Sequence, residues 1–233
     1  MKIEEFEVEV LRKKIKNLHL RIYPPDARIV VSVPQRLSDR EIFNFLQSRI
    51  DWIRIKHQEV KDFVGKSSKE FESGEIHYFL GKQLKLEVHP LVNNPKIEIS
   101  PDSIHLFISQ KADKAKRASI IFNLYKREVT GVIENLMLKW CEIMGEPYHS
   151  IKWEVKRIKK KWGVCYPFQR RIVFNLFLAR VPISCIEMVV VHELTHLKVR
   201  PHNKEFYSTL SRYLPDWKDR SLRLNSIPPL LLP

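Results

Sequence analysis

Two histidines four residues apart with a glutamate beside the first, His192, Glu193 and His196 in HELTH, are side chains that can hold a metal ion and activate water. Positions i and i+4 lie about one helical turn apart, offset by roughly 40°, so both imidazoles point the same way. Two such nitrogens can share one ion. Glu193 sits about 100° round the helix, where it can reach a water at the ion without ligating it, the place for a general base. A catalytic zinc takes three protein ligands and keeps one position open. His202 is the candidate third ligand. Helical spacing does not align it with the other two, so the chain must turn after Leu197. Arg200-Pro201 supplies the turn, because the residue before proline is pushed out of helical conformation. The competing reading, two core histidines at the end of a buried helix, leaves Glu193 buried without a stated partner, which is unfavourable.

Other side chains are weaker candidates. Asn175, in the strand before the HELTH helix, is placed as a substrate-binding residue facing the cleft. Cys165 could supply a fourth ligand, but that would close the site and make it structural. Tyr207 and Tyr213 are candidates to stabilise an oxyanion. Glu205, Asp216 and Asp219 are candidates to orient a ligand histidine. Trp162 reads as core.

Such a site needs a rigid helix and a sheet to hold it, and the chain supplies both. Phe6, Val8 and Val10, then Leu18, Leu20 and Ile22, then Ile29, Val31 and Val33 alternate with polar residues. They predict three strands of a small antiparallel sheet, with a turn at Pro24-Pro25-Asp26. Ser38 and Glu41 form a capping box. It opens a helix through Ile42, Leu46, Ile50 and Ile53 that fades near Val64-Gly65. Residues 66–75 read as a loop. Strands follow at 76–80, 84–89, 96–100 and 104–108, punctuated by Gly81-Lys82, Asn93-Asn94-Pro95 and Pro101-Asp102. A long amphipathic helix spans 112–144, with Gly145 as its stop. In the second half, 151–159 alternates and Tyr166–Arg170 is a hairpin connection. Residues 172–178 form an apolar strand, read as an edge that could take an extended peptide. Pro182 starts the HELTH helix, Pro201 ends it, a helix spans 204–214, and SIPPLLLP is an extended tail. No internal repeat is visible. The fold class is α+β: a β-rich N-terminal domain with one helix over 1–110, and a second domain over 111–233 whose HELTH helix packs on a small sheet.

The segments KKKWGVC, RRIVFNLFLARVP, VVVHELTHL, RPHNKEFY and LPDWKDRSLRLN, in this order, resemble the YgjP-like family of zinc metallopeptidases. That zincin family is related to the SprT and WLM families. The short β-rich start and the LSDREI…WI helix are similar as well, so the likeness covers most of the chain. It implies a zincin-like second domain, with His192, His196 and His202 as metal ligands and Glu193 as the catalytic base. Val164 and Tyr166 depart from the small polar residues usual around WGSCS in that family. The spacing through His202 is also that of metzincins, but Val199 stands at their glycine position and no methionine follows His202 to make a Met-turn.

Charge and composition bound the partners. The chain has 233 residues and a net charge of +14, from 41 basic and 27 acidic side chains. That balance favours anionic partners, and Lys156-Arg157 with Lys159-Lys160-Lys161 lies near the expected cleft. No P-loop or nucleic-acid-binding signature accompanies it. The start MKIEEFEVEVLRKK has no apolar core of a signal peptide, and no run suits a membrane span. Three separated cysteines fit a reducing cytoplasm. The expected function is a zinc-dependent hydrolase of the metallopeptidase kind acting on peptide or protein. The alternatives are a metal-dependent nucleoside triphosphate pyrophosphohydrolase, or a nucleic-acid-associated protein with a structural metal.

Overall fold

The computed structural model of the protein describes residues 1–23, 26–67, 70–91, 94–159 and 161–226. Pro24, Pro25, Asn93, Lys160 and nearly all of the SIPPLLLP tail lie outside them. Packing divides the chain into two compact units, Met1–Lys69 and Glu70–Pro233.

The first unit holds β1 (Lys2–Ile3), β2 (Phe6–Lys13), β3 (His19–Tyr23) and β4 (Arg28–Pro34) in the order β1-β2-β4-β3. β3 and β4 pair antiparallel, as expected, but β2 runs parallel to β4. The all-antiparallel expectation fails because β4 takes the centre of the sheet. Its Ile29, Val30, Val31 and Val33 are all buried, and so apolar a strand has most to gain between two neighbours. Ser38 and Glu41 make the expected capping box at the start of α1 (Asp39–Gln47). The chain then breaks at Ser48-Arg49 before α2 (Ile50–Ser67), so one expected helix is two. Ile42, Leu46 and Ile53 pack with Phe6, Val8 and Val31 into a core of this unit's own.

In the second unit, β5 (Ile76–Phe79), β6 (Lys82–Pro90), β7 (Lys96–Ile99) and β8 (Ser103–Ile108) repeat the topology of the first sheet. The order is β5-β6-β8-β7, with β6 and β8 parallel and the outer pairs antiparallel. No sequence repeat announced this, because period-two patterning fixes a face and not a partner. One long helix, α3 (Lys114–Met144), follows, capped by the Asp113 carboxylate on the Lys116 N–H and by Gly145 at φ +66°. Gly145 adopts the left-handed conformation that ends helices.

A third sheet combines β9 (Lys152–Lys156), β10 (Gly163–Tyr166) and β11 (Arg171–Asn175) in the order β10-β11-β9. β11 is therefore central and β10 is an edge strand, which corrects the expected edge at 172–178. β11 also stops at Asn175, and Leu176–Arg180 coils into a 3-10 turn. Then come α4 (Ile183–Lys198), α5 (Lys204–Tyr213) and α6 (Trp217–Ser226). Leu84, Leu86, Ile104 and Leu106 of the second sheet share one core with α3, β11 and α4. The boundary expected at 110/111 would cut that core, and the division at Lys69/Glu70 does not. Among the described residues, no helix is long and apolar enough to cross a membrane.

Candidate active site

The buried face of α4 explains why the HELTH segment is held firmly. Ile186, Val190, Val191 and Leu194 have no exposure, and Glu187 anchors the helix to both neighbours. One Glu187 oxygen accepts from Lys139 Nζ at 2.7 Å and Trp140 Nε1 at 3.0 Å on α3, and the other from Arg220 Nη1 at 2.6 Å on α6. The helix ends at Lys198, with Val199 extended at φ −127°, two residues before Pro201. The turn that follows is tied down by Arg200, whose guanidinium lies 3.6 Å from the centre of the Phe168 ring on the β10–β11 connection.

That turn brings His202 back to the helix. Its Nε2 lies 3.0 Å from His192 Nε2 and 3.1 Å from His196 Nε2. Three protons cannot occupy so small a triangle, and lone pairs without a proton or cation between them repel. Nitrogens bound tetrahedrally to one zinc at about 2.0–2.1 Å would stand roughly 3.3–3.4 Å apart, close to what is seen. The three nitrogens therefore fit a single metal ion. His196 Nδ1 faces the Val199 carbonyl at 3.3 Å, a contact that favours a proton on Nδ1 and a free lone pair on Nε2. Burial and the neighbouring imidazoles push His192 down to about 3, and burial lowers His196 too, so both are neutral donors at physiological pH.

Phe206 is the residue that sequence reasoning missed here. It is fully buried, and its ring centre lies 4.9, 4.5 and 4.7 Å from those of His192, His196 and His202. It forms the floor on which all three imidazoles rest. The Asn203 side chain caps α5 by accepting from the Phe206 N–H at 2.9 Å, which fixes where the ring enters. The signal available in the sequence was an Asn followed three residues later by a large aromatic, just past the third histidine.

Glu193 is 6 % exposed and packs against the backbone of β10. A Cβ on Gly163 would fall 2.6 Å from Glu193 Oε1 and 2.7 Å from its Cγ, so only glycine fits there. An isolated glycine in a strand often marks such a close approach. Burial pushes the Glu193 carboxyl up to about 8, against the pull of the Lys161 charge and of a hydrogen bond from the Cys165 backbone. Cys165 contributes through that backbone. Its thiol does not join the histidine cluster, and burial with the Glu193 charge holds it protonated, up to about 12.

Asn175 does not face the cleft. It is fully buried, with Nδ2 donating to the Ile158 and Lys161 carbonyls at 2.8 and 2.7 Å and Oδ1 accepting from the Phe177 N–H at 3.2 Å. It pins the basic loop that carries Lys159 and Lys161. Asn175→Ala is expected to lower stability by about 1–3 kcal/mol for each carbonyl left unpaired, with little change in KM. A raised KM with an unmoved urea midpoint would return Asn175 to substrate binding. Tyr213 packs edge-on against Trp140, away from the histidines, whereas Tyr207 lies between His202 and Trp217 at ring distances of 6.2 and 5.2 Å. Asp216 is engaged by Arg220 at 2.8 Å, and Glu205 and Asp219 are exposed. Trp162 packs against the core as expected.

A family model described as YgjP-like, metallopeptidase domain, matches residues 16–227. The chain belongs to the YgjP-like family. No curated protein matches it. Membership makes this YgjP-like chain a metal-dependent hydrolase of the peptidase type.

The burial of Glu193 gives this YgjP-like site a pH signature in chelator-treated protein. An unfolded glutamate loses its proton near pH 4.5, whereas the folded one keeps it to about 8. Between these values the folded state binds the extra proton, so this group's contribution to stability falls as pH rises and levels off above 8. Glu193→Gln lacks the titration and should gain stability relative to wild type between pH 5 and pH 8.5. Thermal midpoints showing a constant difference over that range would contradict the burial argument.

Proposed function

We propose that this protein is a zinc-dependent peptidase in which His192, His196 and His202 hold the metal and Glu193 is the general base. The observation that carries the reading is the close triangle of three imidazole nitrogens beside one buried glutamate side chain. Three histidines suit zinc and leave room for a further ligand, as in a zincin-like catalytic site. A metal held there supplies a Lewis acid that acidifies water and polarises a carbonyl. Glu193 accepts the proton of the attacking water and passes it to the leaving amine. A cation held by the three histidines would favour the ionised carboxylate that this task requires, against the burial that raises its proton affinity in the metal-free protein. Gly163 and the Cys165 backbone hold the carboxylate in place, and the Phe206 ring holds the imidazoles. β10 is an edge strand next to Glu193, where an extended peptide can add as a further strand. Casein cleavage that is lost on chelation and restored by zinc would support this reading, and cleavage indifferent to chelator would end it.

A second reading rests on Lys161, whose charge reaches Glu193, and on the loop that Asn175 clamps beside it. Lysines there would suit a polyanion or a nucleoside triphosphate. If DNA binds, Lys159→Ala with Lys161→Ala should flatten the logarithmic salt dependence by about 0.9 for each phosphate that is no longer neutralised. No retention of DNA on filters at low salt would exclude the polyanion. A triphosphatase rate that keeps its KM in the same double variant would exclude the nucleotide.

A further inference from the structure

The second sheet carries another convergent set of donors, on the face opposite its core. Leu84, Leu86, Ile104 and Leu106 point into the core, so by alternation Glu87, His89 and His105 point away from it. β6 and β8 are parallel neighbours, with Glu87 directly across from His105 and His89 two residues further along β6. This register gathers the three side chains although they lie up to eighteen residues apart in the chain. His105 Nδ1 lies 3.2 Å from His89 Nε2 and 3.3 Å from Glu87 Oε2, and His89 Nε2 lies 3.8 Å from the same oxygen.

These atoms converge on one point instead of pairing off. The single proton His105 can carry on Nδ1 serves one edge of the triangle and leaves the others unserved. A cation at the centre serves all three. The far side of each donor group is already braced. The other Glu87 oxygen accepts from Ser103 Oγ at 3.3 Å, and His105 Nε2 meets Ser100 Oγ at 3.3 Å. The His89 ring lies 4.9 Å from that of Phe107, with the planes 24° apart. Partners of this kind orient ligands in metal sites. All three donors are partly buried yet open to solvent on one side, which gives an ion a way in.

We propose that Glu87, His89 and His105 form a second metal site, for a divalent first-row transition ion of the zinc class. Two imidazoles and one carboxylate suit such an ion, and their origin on adjacent strands makes it a clip between β6 and β8. The site is independent of the HELTH reading and uses none of its residues.

The test is a calorimetric titration of chelator-stripped protein with zinc. Wild type should bind two equivalents. His192→Ala with His196→Ala should retain one, with an unchanged far-ultraviolet spectrum. In that background, His89→Gln or His105→Gln should weaken the remaining site by about 100-fold or more, and Ser100→Ala by about tenfold. Should the double histidine variant not fold, Glu87→Gln in the otherwise native chain should take two equivalents to one, since it keeps the shape and removes the charge. A folded His192, His196 double variant that binds no zinc would overturn the proposal. So would an equivalent that survives both His89→Gln and His105→Gln unweakened. If only the HELTH assignment is wrong, wild type binds one equivalent that is lost on His105→Gln and kept on His192→Ala.

Discussion

Glu193→Gln is expected to leave the metal content unchanged and to cut turnover by roughly 10²–10⁴, the usual contribution of a positioned acid-base group. Glutamine fills the same space under β10, so the backbone of Gly163 and Cys165 has no reason to move. What it lacks is an oxygen that can take a proton. The loss should fall on kcat more than on KM, because the carboxylate is assigned to the proton and not to the hold on the peptide. Steady-state kinetics on a casein-derived peptide, with zinc measured on the same samples, would check this. A variant that turns over at near the wild-type rate removes Glu193 as the base. A variant that loses its zinc makes Glu193 part of the metal's hold instead.

Gly163→Ala should be nearly as damaging, although glycine has no side chain to offer a metal or a proton. The added methyl would stand 2.6–2.9 Å from Oε1, Cγ and Cδ of Glu193, nearer than any side chain tolerates. Either β10 moves off α4 or the carboxylate turns away, and a displacement of about 1 Å at a catalytic group can cost 10²-fold in rate. β10 is an edge strand and can shift outward, so the fold should survive with a loss of about 1–3 kcal/mol from overpacking. The expected outcome is a folded protein with full metal content and a kcat lower by around 10²-fold. Wild-type kinetics with a lowered melting temperature would show that Glu193 is free to move without consequence.

Much of this site was legible in the sequence because its signals are local. The i, i+4 histidines and the pre-proline break that returns His202 to them are near neighbours along the chain, and the geometry follows from helix and proline alone. The capping box at Ser38 and the glycine stop at Gly145 were readable for the same reason. Features made by distant segments were not. The parallel pairing of β2 with β4, and the sharing of one core by the second sheet and α4, depend on which strand lies beside which, and alternation carries no partner. Asn175 shows the limit most plainly. A polar residue in a buried strand is either a ligand contact or a clamp on another loop, and only the positions of the Ile158 and Lys161 carbonyls decide between them. Phe206 and Gly163 escaped because each has its role only through something it packs against.

The most direct test of the metal assignment is anomalous diffraction at the zinc edge from crystals of the zinc-loaded protein. The account predicts a peak about 2.0–2.1 Å from Nε2 of each of His192, His196 and His202, within hydrogen-bonding reach, through one water, of the Glu193 carboxylate. Zinc-loaded crystals with ordered histidines and no peak among those three nitrogens would contradict it.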